Sequence, residues 1–215
     1  MSLISTYRKV FNLGNGCLET TRVVFRRLWQ KTKSNNIYAH SSFKIDGLEN
    51  IKTENLWLGL HYRGFEHNQD KGILNVKGKL KIAGYYKIGK GCRIDIAEGA
   101  TVEIGKNGYI NSNTKLIISK GLRIGEETVI SWDCQILDAD FHSISIDGDE
   151  KKNSAAIAIG NHVWIGCGAK IYKGVSIPDN CVIASDSVVK DQFTEENCLI
   201  AGNPAKVIKR GIDWK

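Results

Sequence analysis

Asp138, Asp140 and His142 occupy alternate positions of the segment LDADFH, residues 137–142. An imidazole, with an ordinary pKa of about 6.5, takes a proton from a reacting group near neutral pH. A carboxylate at its other nitrogen fixes the tautomer and stabilises the imidazolium that forms. Either aspartate suits that role, and Asp140 is the nearer in sequence. If the segment runs extended, the three polar side chains project from one face. Of the five histidines (40, 61, 67, 142 and 162), His142 is the one beside acids at a point where a regular pattern stops. His162, within IGNHVW, reads as a corner residue that asparagine or aspartate would replace, and the other three carry no spacing signal.

The regular pattern must position that histidine. Ile159, Ile165, Ile171, Ile177, Ile183 and Val189 fall six residues apart, and the same beat runs through Val76, Ile82, Ile88 and Ile94, then Ile104, Ile110 and Leu116, then Ile118, Ile124, Ile130 and Ile136. A helix of period 3.6 would scatter such a set around its circumference, and a plain strand would not leave the intervening positions so polar and glycine-rich. Each unit reads as one short strand plus one corner, with Gly, Asn and Asp as turn formers. Three units close a triangular coil of about 18 residues, so Ile159 stacks under Ile177 and Ile165 under Ile183, at about 4.8 Å per coil. Cys92, Cys134 and Cys181 lie four residues after Ile88, Ile130 and Ile177. There a thiol acts as a compact apolar filler.

Between Ile136 and Ile159 the beat is lost for residues 137–158. An interruption this long within a compact repeat points to function. Its middle, DGDEKKN, reads as a solvent-facing turn.

From about residue 75 to 209 the chain resembles the hexapeptide-repeat acyltransferases, on its sixfold beat and on VWIGCGAKIYKGVSIPDNCVIASDSVVKDQFTEENCLIAGNPAKVIK. The resemblance implies an all-β fold, a left-handed parallel β-helix over residues 75–204 with loop 137–158. It is preceded by a basic helical and irregular segment (1–74) and followed by a C-terminal helical tail (205–215). It implies a homotrimer whose sites form between subunits, acetyl-CoA as acyl donor, a carbohydrate acceptor and no metal. His142 then stands where the sugar acetyltransferases carry their catalytic base, with Asp140 or Asp138 as its support or as a substrate contact. Asn111 in GYINSNTKL matches an asparagine lining the acceptor site, with Asn113 as the rival. Trp164 would flank the pantetheine arm of the donor, with backbone near Cys167 and Ser185 pairing its amides and Gly166 keeping the groove open. Lys190, Lys206 and Lys209 would meet the nucleotide phosphates, Lys206 standing where the family has arginine, without its bidentate fork. The implied activity is O-acetylation of a sugar in bacterial surface polysaccharide biosynthesis. The alternatives are N-acetylation of an amino sugar or nucleotide sugar, and a non-enzymatic scaffold. A γ-class carbonic anhydrase needs three histidine ligands, and only His142 and His162 lie in the repeat.

The net charge of +7 is concentrated at the start: residues 1–33 hold Arg8, Lys9, Arg22, Arg26, Arg27, Lys31 and Lys33 against Glu19 alone. These alternate with apolar residues at helical spacing, so two short amphipathic helices are expected, either packed on the body or touching an anionic membrane face. No nucleic-acid module accompanies the charge. The six cysteines include no C-x-x-C pair, which speaks against a disulfide framework or zinc knuckle. The opening lacks the apolar core of a secretory signal and no span of about 18 apolar residues occurs, so a cytoplasmic location is expected.

Overall fold

The structure, a computed structural model, describes residues 2–30, 36–60, 64–67 and 69–215, apart from the side chains of residues 29 and 30. His61, Lys31 and Lys33 lie outside the described residues. Short parallel strands build a three-sided coil. The first side stacks residues 79–82, Thr101–Ile104, Gly121–Ile124, Ile157–Ile159 and Ser176–Ile177. The second stacks Ile37–Ala39, residues 56–58 and 86–88, then Tyr109–Ile110, Val129–Ile130, Trp164–Ile165, Val182–Ile183 and Cys198–Gly202. The third stacks Phe43–Asp46, Gly72–Val76, Arg93–Ile96, Lys115–Ile118, Gln135–Leu137, Lys170–Tyr172 and Val188–Val189.

The aliphatic beat forms the interior. Ile159 pairs with Ile177, Ile165 with Ile183 and Ile171 with Val189, all buried. Ile124 pairs with Ile159 and Ile136 with Ile171, so the stack resumes in phase after loop 137–158. The earlier coils are wider, Ile82 meeting Ile104 and Ile104 meeting Ile124, because residues 97–100 and 119–120 enlarge one corner. Cys92, Cys134 and Cys181 are fully buried fillers in this core. Burial pushes the Cys92 and Cys134 thiols up to about 12. Thiols held neutral by the fold contribute stability below their ordinary pKa of about 8.5, and that contribution is lost as pH rises through 9 and beyond.

The coil differs from expectation at both ends. Parallel pairing starts at Ile37, well before residue 75, and part of the segment expected to be irregular supplies the lowest coil; its period is hidden because residues 59–71 separate the strand ending at Leu58 from the one starting at Gly72. The expected C-terminal helix is a strand, Ala205–Arg210, antiparallel to Cys198–Gly202. The top coil ends in an edge whose backbone groups need partners, and AKVIKR folds back to supply them, with Ala205 and Val207 turned to the core.

Two helices, α1 (Leu3–Val10) and α2 (Gly16–Gln30), joined through a kink at Gly14 (φ 83°), cover the lower outer face of the second side. Val10 and Val23 pack on Tyr38, Trp57 and Leu60. Four of their basic residues make contacts of their own, two of them inward. Lys9 lies 4.8 Å over the Trp57 ring, Arg27 4.8 Å over Tyr38, Arg26 donates to the Phe43 carbonyl at 2.9 Å, and Arg22 pairs with Glu19 at 3.6 Å. Arg26 and Arg27 are thus engaged with the body, whereas Arg8, Lys9 and Arg22 stay exposed beside Ile4, Leu18 and Phe25. Among the described residues no helix is long and apolar enough to cross a membrane.

Candidate active site

The corner between the second and third sides is a column of polar and small residues. Gly89, Asn111, Ser131, Gly166 and Ala184 each donate a backbone hydrogen bond to the coil above, to Ile110, Ile130, Ile165, Ile183 and Ile200 respectively, at 2.8–2.9 Å. One residue further along stand Lys90, Ser112, Trp132, Cys167 and Ser185. Low on this column is a cavity of about 180 Å³, lined among others by Glu66, Tyr109, Asn111 and Trp132. Asn111 thus faces a cavity, whereas Asn113 adopts φ 65° and covers Gly91, where an added Cβ would stand 2.0 Å from its Oδ1. Of the two asparagines, Asn111 is the one that lines the cavity.

Of the residues expected to hold the acyl donor, Gly166, Cys167 and Ser185 lie higher on the same corner and Trp164 on the second side beside it, whereas Lys190 follows Val188–Val189 at the far end of the third side. Val129 pairs with both Tyr109 and Trp164, so the Trp164 ring stands two strand spacings, about 10 Å, above Tyr109 on one face. It is 42% exposed, and its Nε1 donates to Ser131 Oγ at 3.1 Å. Trp214 stacks on His162 at 4.2 Å between ring centroids and lies 6.1 Å from Trp164. His162, at φ 51°, is the corner residue its context indicated. Gly166 does something other than hold a groove open: a Cβ there would come within 2.8 Å of the backbone of Ile183 and Ser185, so its hydrogen lets the coils approach. The Cys167 carbonyl accepts from the Asp186 N–H at 2.8 Å, and Ser185 is exposed. Lys190 and Lys209 are exposed; Lys206 pairs with Asp191 at 3.0 Å.

These exposures give a labelling test. Cys17 is exposed and Cys167 half-buried, whereas Cys92, Cys134, Cys181 and Cys198 are buried. Brief alkylation of the folded protein near pH ~8 is expected to modify only Cys17 and Cys167, and coenzyme A is expected to protect Cys167 alone. Mass mapping that finds Cys167 equally labelled with and without coenzyme A removes it from the donor groove.

Loop 137–158 leaves from the other end of the third side, at its corner with the first. There Asp138, Asp140 and His142 do not share a face. Phe141 takes φ 63°, which ends the extended run. Asp138, expected to contact acceptor or histidine, is completely buried and accepts the backbone N–H groups of Ser119, Lys120 and Gly121, each at 2.7 Å. At most corners such donors meet carbonyls of the coil above; here the chain departs, and the carboxylate takes their place. Asp140, expected to orient the histidine, instead pairs with Lys173, which also donates to the Lys152 carbonyl at 2.7 Å. The loop continues as a hairpin, Ile144–Ile146 against Asp149–Lys151, that leaves Phe141, Ile144 and Ile146 each 52% exposed. His142 is exposed, and among the described residues none hydrogen-bonds its ring.

Two cavity residues had escaped notice. Trp132 sits at a corner position otherwise held by Ser112, Cys167 and Ser185, so its bulk breaks the pattern and was a readable signal. Glu66 gave none, because it comes from a loop without a period.

Comparison with known proteins agrees with the sixfold beat. Residues 157–191 match the family described as bacterial transferase hexapeptide (six repeats). The chain is 39% identical over 196 residues to an uncharacterised 24.8 kDa protein in the cps region of Klebsiella pneumoniae, covering 90% of this chain and 86% of that one. It is 32% identical over 137 residues to the polysialic acid O-acetyltransferase of Escherichia coli, covering 60% of this chain and 44% of that one. A solved hexapeptide-repeat containing acetyltransferase from Vibrio cholerae matches with a TM-score of 0.52 at 25% identity, over 60% of this chain and 72% of that one. The chain belongs to the hexapeptide-repeat acyltransferase family, and its coil is the left-handed parallel β-helix of that family. It is an enzyme of the acyltransferase class.

Proposed function

We propose that the protein transfers an acetyl group from acetyl-CoA to a hydroxyl of a carbohydrate, as a homotrimer, with His142 as general base. One observation carries this reading: the parts lie on two different corners of one triangular chain. Asn111, Trp132 and Cys167 occupy the corner between the second and third sides, with Trp164 on the second side beside it, and His142 departs from the corner between the third and first. One side separates them, a distance on the order of 15 Å for a strand of this length, too far for proton transfer. A threefold ring of copies brings the hairpin of one chain to the open corner of the next. Exposed Phe141, Ile144 and Ile146 suit such a contact, since a cluster of this kind on a hairpin marks an interaction surface.

In that arrangement the Trp164 face walls the thin arm of the donor, and Lys209, opposite Leu199 on the second side, offers positive charge to its phosphates. Lys206, already paired with Asp191, contributes less. Asn111 both donates to and accepts from sugar hydroxyls. His142 takes the hydroxyl proton as the oxygen bonds to the thioester carbonyl carbon, and returns it to the departing thiolate. With Asp140 committed to Lys173, the group that fixes the His142 tautomer comes from the neighbouring copy or from the substrate. The polysialic acid enzyme among the relatives supports a surface polysaccharide or its precursor as acceptor.

Mixed oligomers test the shared site. His142→Ala and Asn111→Ala chains, each inactive alone, are refolded together in equal amounts. Random trimers then place an intact His142 against an intact Asn111 at about a quarter of the interfaces, so about a quarter of the parent activity is expected. Activity no higher than that of the separate variants means that each site belongs to one chain.

A further inference from the structure

Residues 64–67 lie against the donor-side corner and set a carboxylate into the Asn111 cavity. Glu66 Oε1 is held from below, accepting from Ser112 Oγ and from the Lys90 N–H at 3.3 Å. Its Oε2 is buried and, among the described residues, has no hydrogen-bond partner. Across the same cavity the Trp132 Nε1–H is likewise buried without a partner, its ring held by Phe65 at 5.0 Å. A buried acceptor and a buried donor left open in one cavity are costly unless a ligand completes them.

We propose that Glu66 and Trp132 are the specificity residues for the acceptor. Together they take an uncharged sugar unit through a hydroxyl that donates to Glu66 Oε2 and a neighbouring oxygen that accepts from Trp132 Nε1. This rests on the sugar-acetylating reading and narrows it. Lys87, which also lines the cavity, lies over the Tyr85 ring at 5.3 Å, so a carboxylate on the bound unit would meet the open oxygen of the anchored Glu66 carboxyl group rather than a donor. A cavity of about 180 Å³ admits roughly one monosaccharide ring. Uronic and sialic acids are therefore disfavoured at this position, which sets the acceptor of this chain apart from the polysialic acid of its relative. Tyr109, 39% exposed at the cavity wall, offers a ring face for the sugar's apolar side.

Binding of methyl glucoside, methyl galactoside and glucuronate to the full chain, followed by ligand-observed NMR titration, tests this without turnover. The parent is expected to bind at least one neutral glycoside, with glucuronate about 10-fold weaker or more. Glu66→Gln and Trp132→Phe keep shape and remove one group each; both are expected to weaken the neutral glycoside by about 10- to 100-fold, the range for a lost hydrogen bond to a charged or buried partner. Glu66→Gln should also close the gap to glucuronate. Thermal melting at the parent temperature shows that both variants fold. Parent-like binding by both variants, glucuronate bound as well as the neutral glycosides, or no neutral glycoside bound by the parent, overturns the assignment. Sugar binding without acetyl transfer would instead sink the proposed activity and leave this site standing.

Discussion

Replacing His142 by alanine is expected to lower the acetyl-transfer rate on the best acceptor by about 10²- to 10⁴-fold, the usual range for removing a general base. The melting temperature should stay unchanged, since the ring is exposed and touches nothing that holds the chain. That combination separates chemistry from folding. The loss should fall on kcat, leaving the affinity for coenzyme A intact, because the donor column stands on the other corner. Steady-state kinetics with thiol release as the readout decide it: a variant turning over at the parent rate would assign the base elsewhere. A drop in melting temperature alongside lost activity would mean that the ring works by packing.

Asp138→Ala is expected to cost about 3–4 kcal/mol of folding stability. The side chain is completely buried, and its two oxygens satisfy three consecutive N–H groups at 2.7 Å. Each buried donor left without a partner costs about 1–3 kcal/mol, partly recovered if water enters the space. Asn at this position fares better than alanine but still presents an NH₂ group to a donor, so an intermediate loss is expected. Urea unfolding measures the difference. At temperatures where the variant is folded, its KM for the acceptor should equal the parent's. A raised KM with unchanged stability would restore Asp138 as a substrate contact. No other aspartate in the loop is placed this way: Asp140 is exposed and paired with Lys173, so its removal should be mild by comparison.

The two aspartates show where sequence reasoning stopped. Alternation along LDADFH gives a common face only while the backbone stays extended, and the positive φ at Phe141 is the product of a departure that no local propensity announces. Likewise Asn111 and Asn113 are equivalent in sequence. The coil separates them, setting Asn113 over Gly91 and Asn111 at a cavity.

The chain's own pattern determined the coil, its rungs and its buried thiols, because a hydrophobic beat of six admits only one way to bury a continuous aliphatic core, by stacking each unit on the next. It also marked the single long gap at 137–158. What only the tertiary structure decided was which features share a corner. Glu66 lies 46 residues from Ser112 in sequence, yet its carboxylate accepts the Ser112 hydroxyl. Pairing in a coil is set by strand register, while side chains on loops are placed by where the chain leaves the stack and what donors it abandons there. The gap at 59–71 was invisible for the same reason. Its flanking strands carry too few repeats to establish a beat, and they are recognised as rungs only by the coils that settle on top of them.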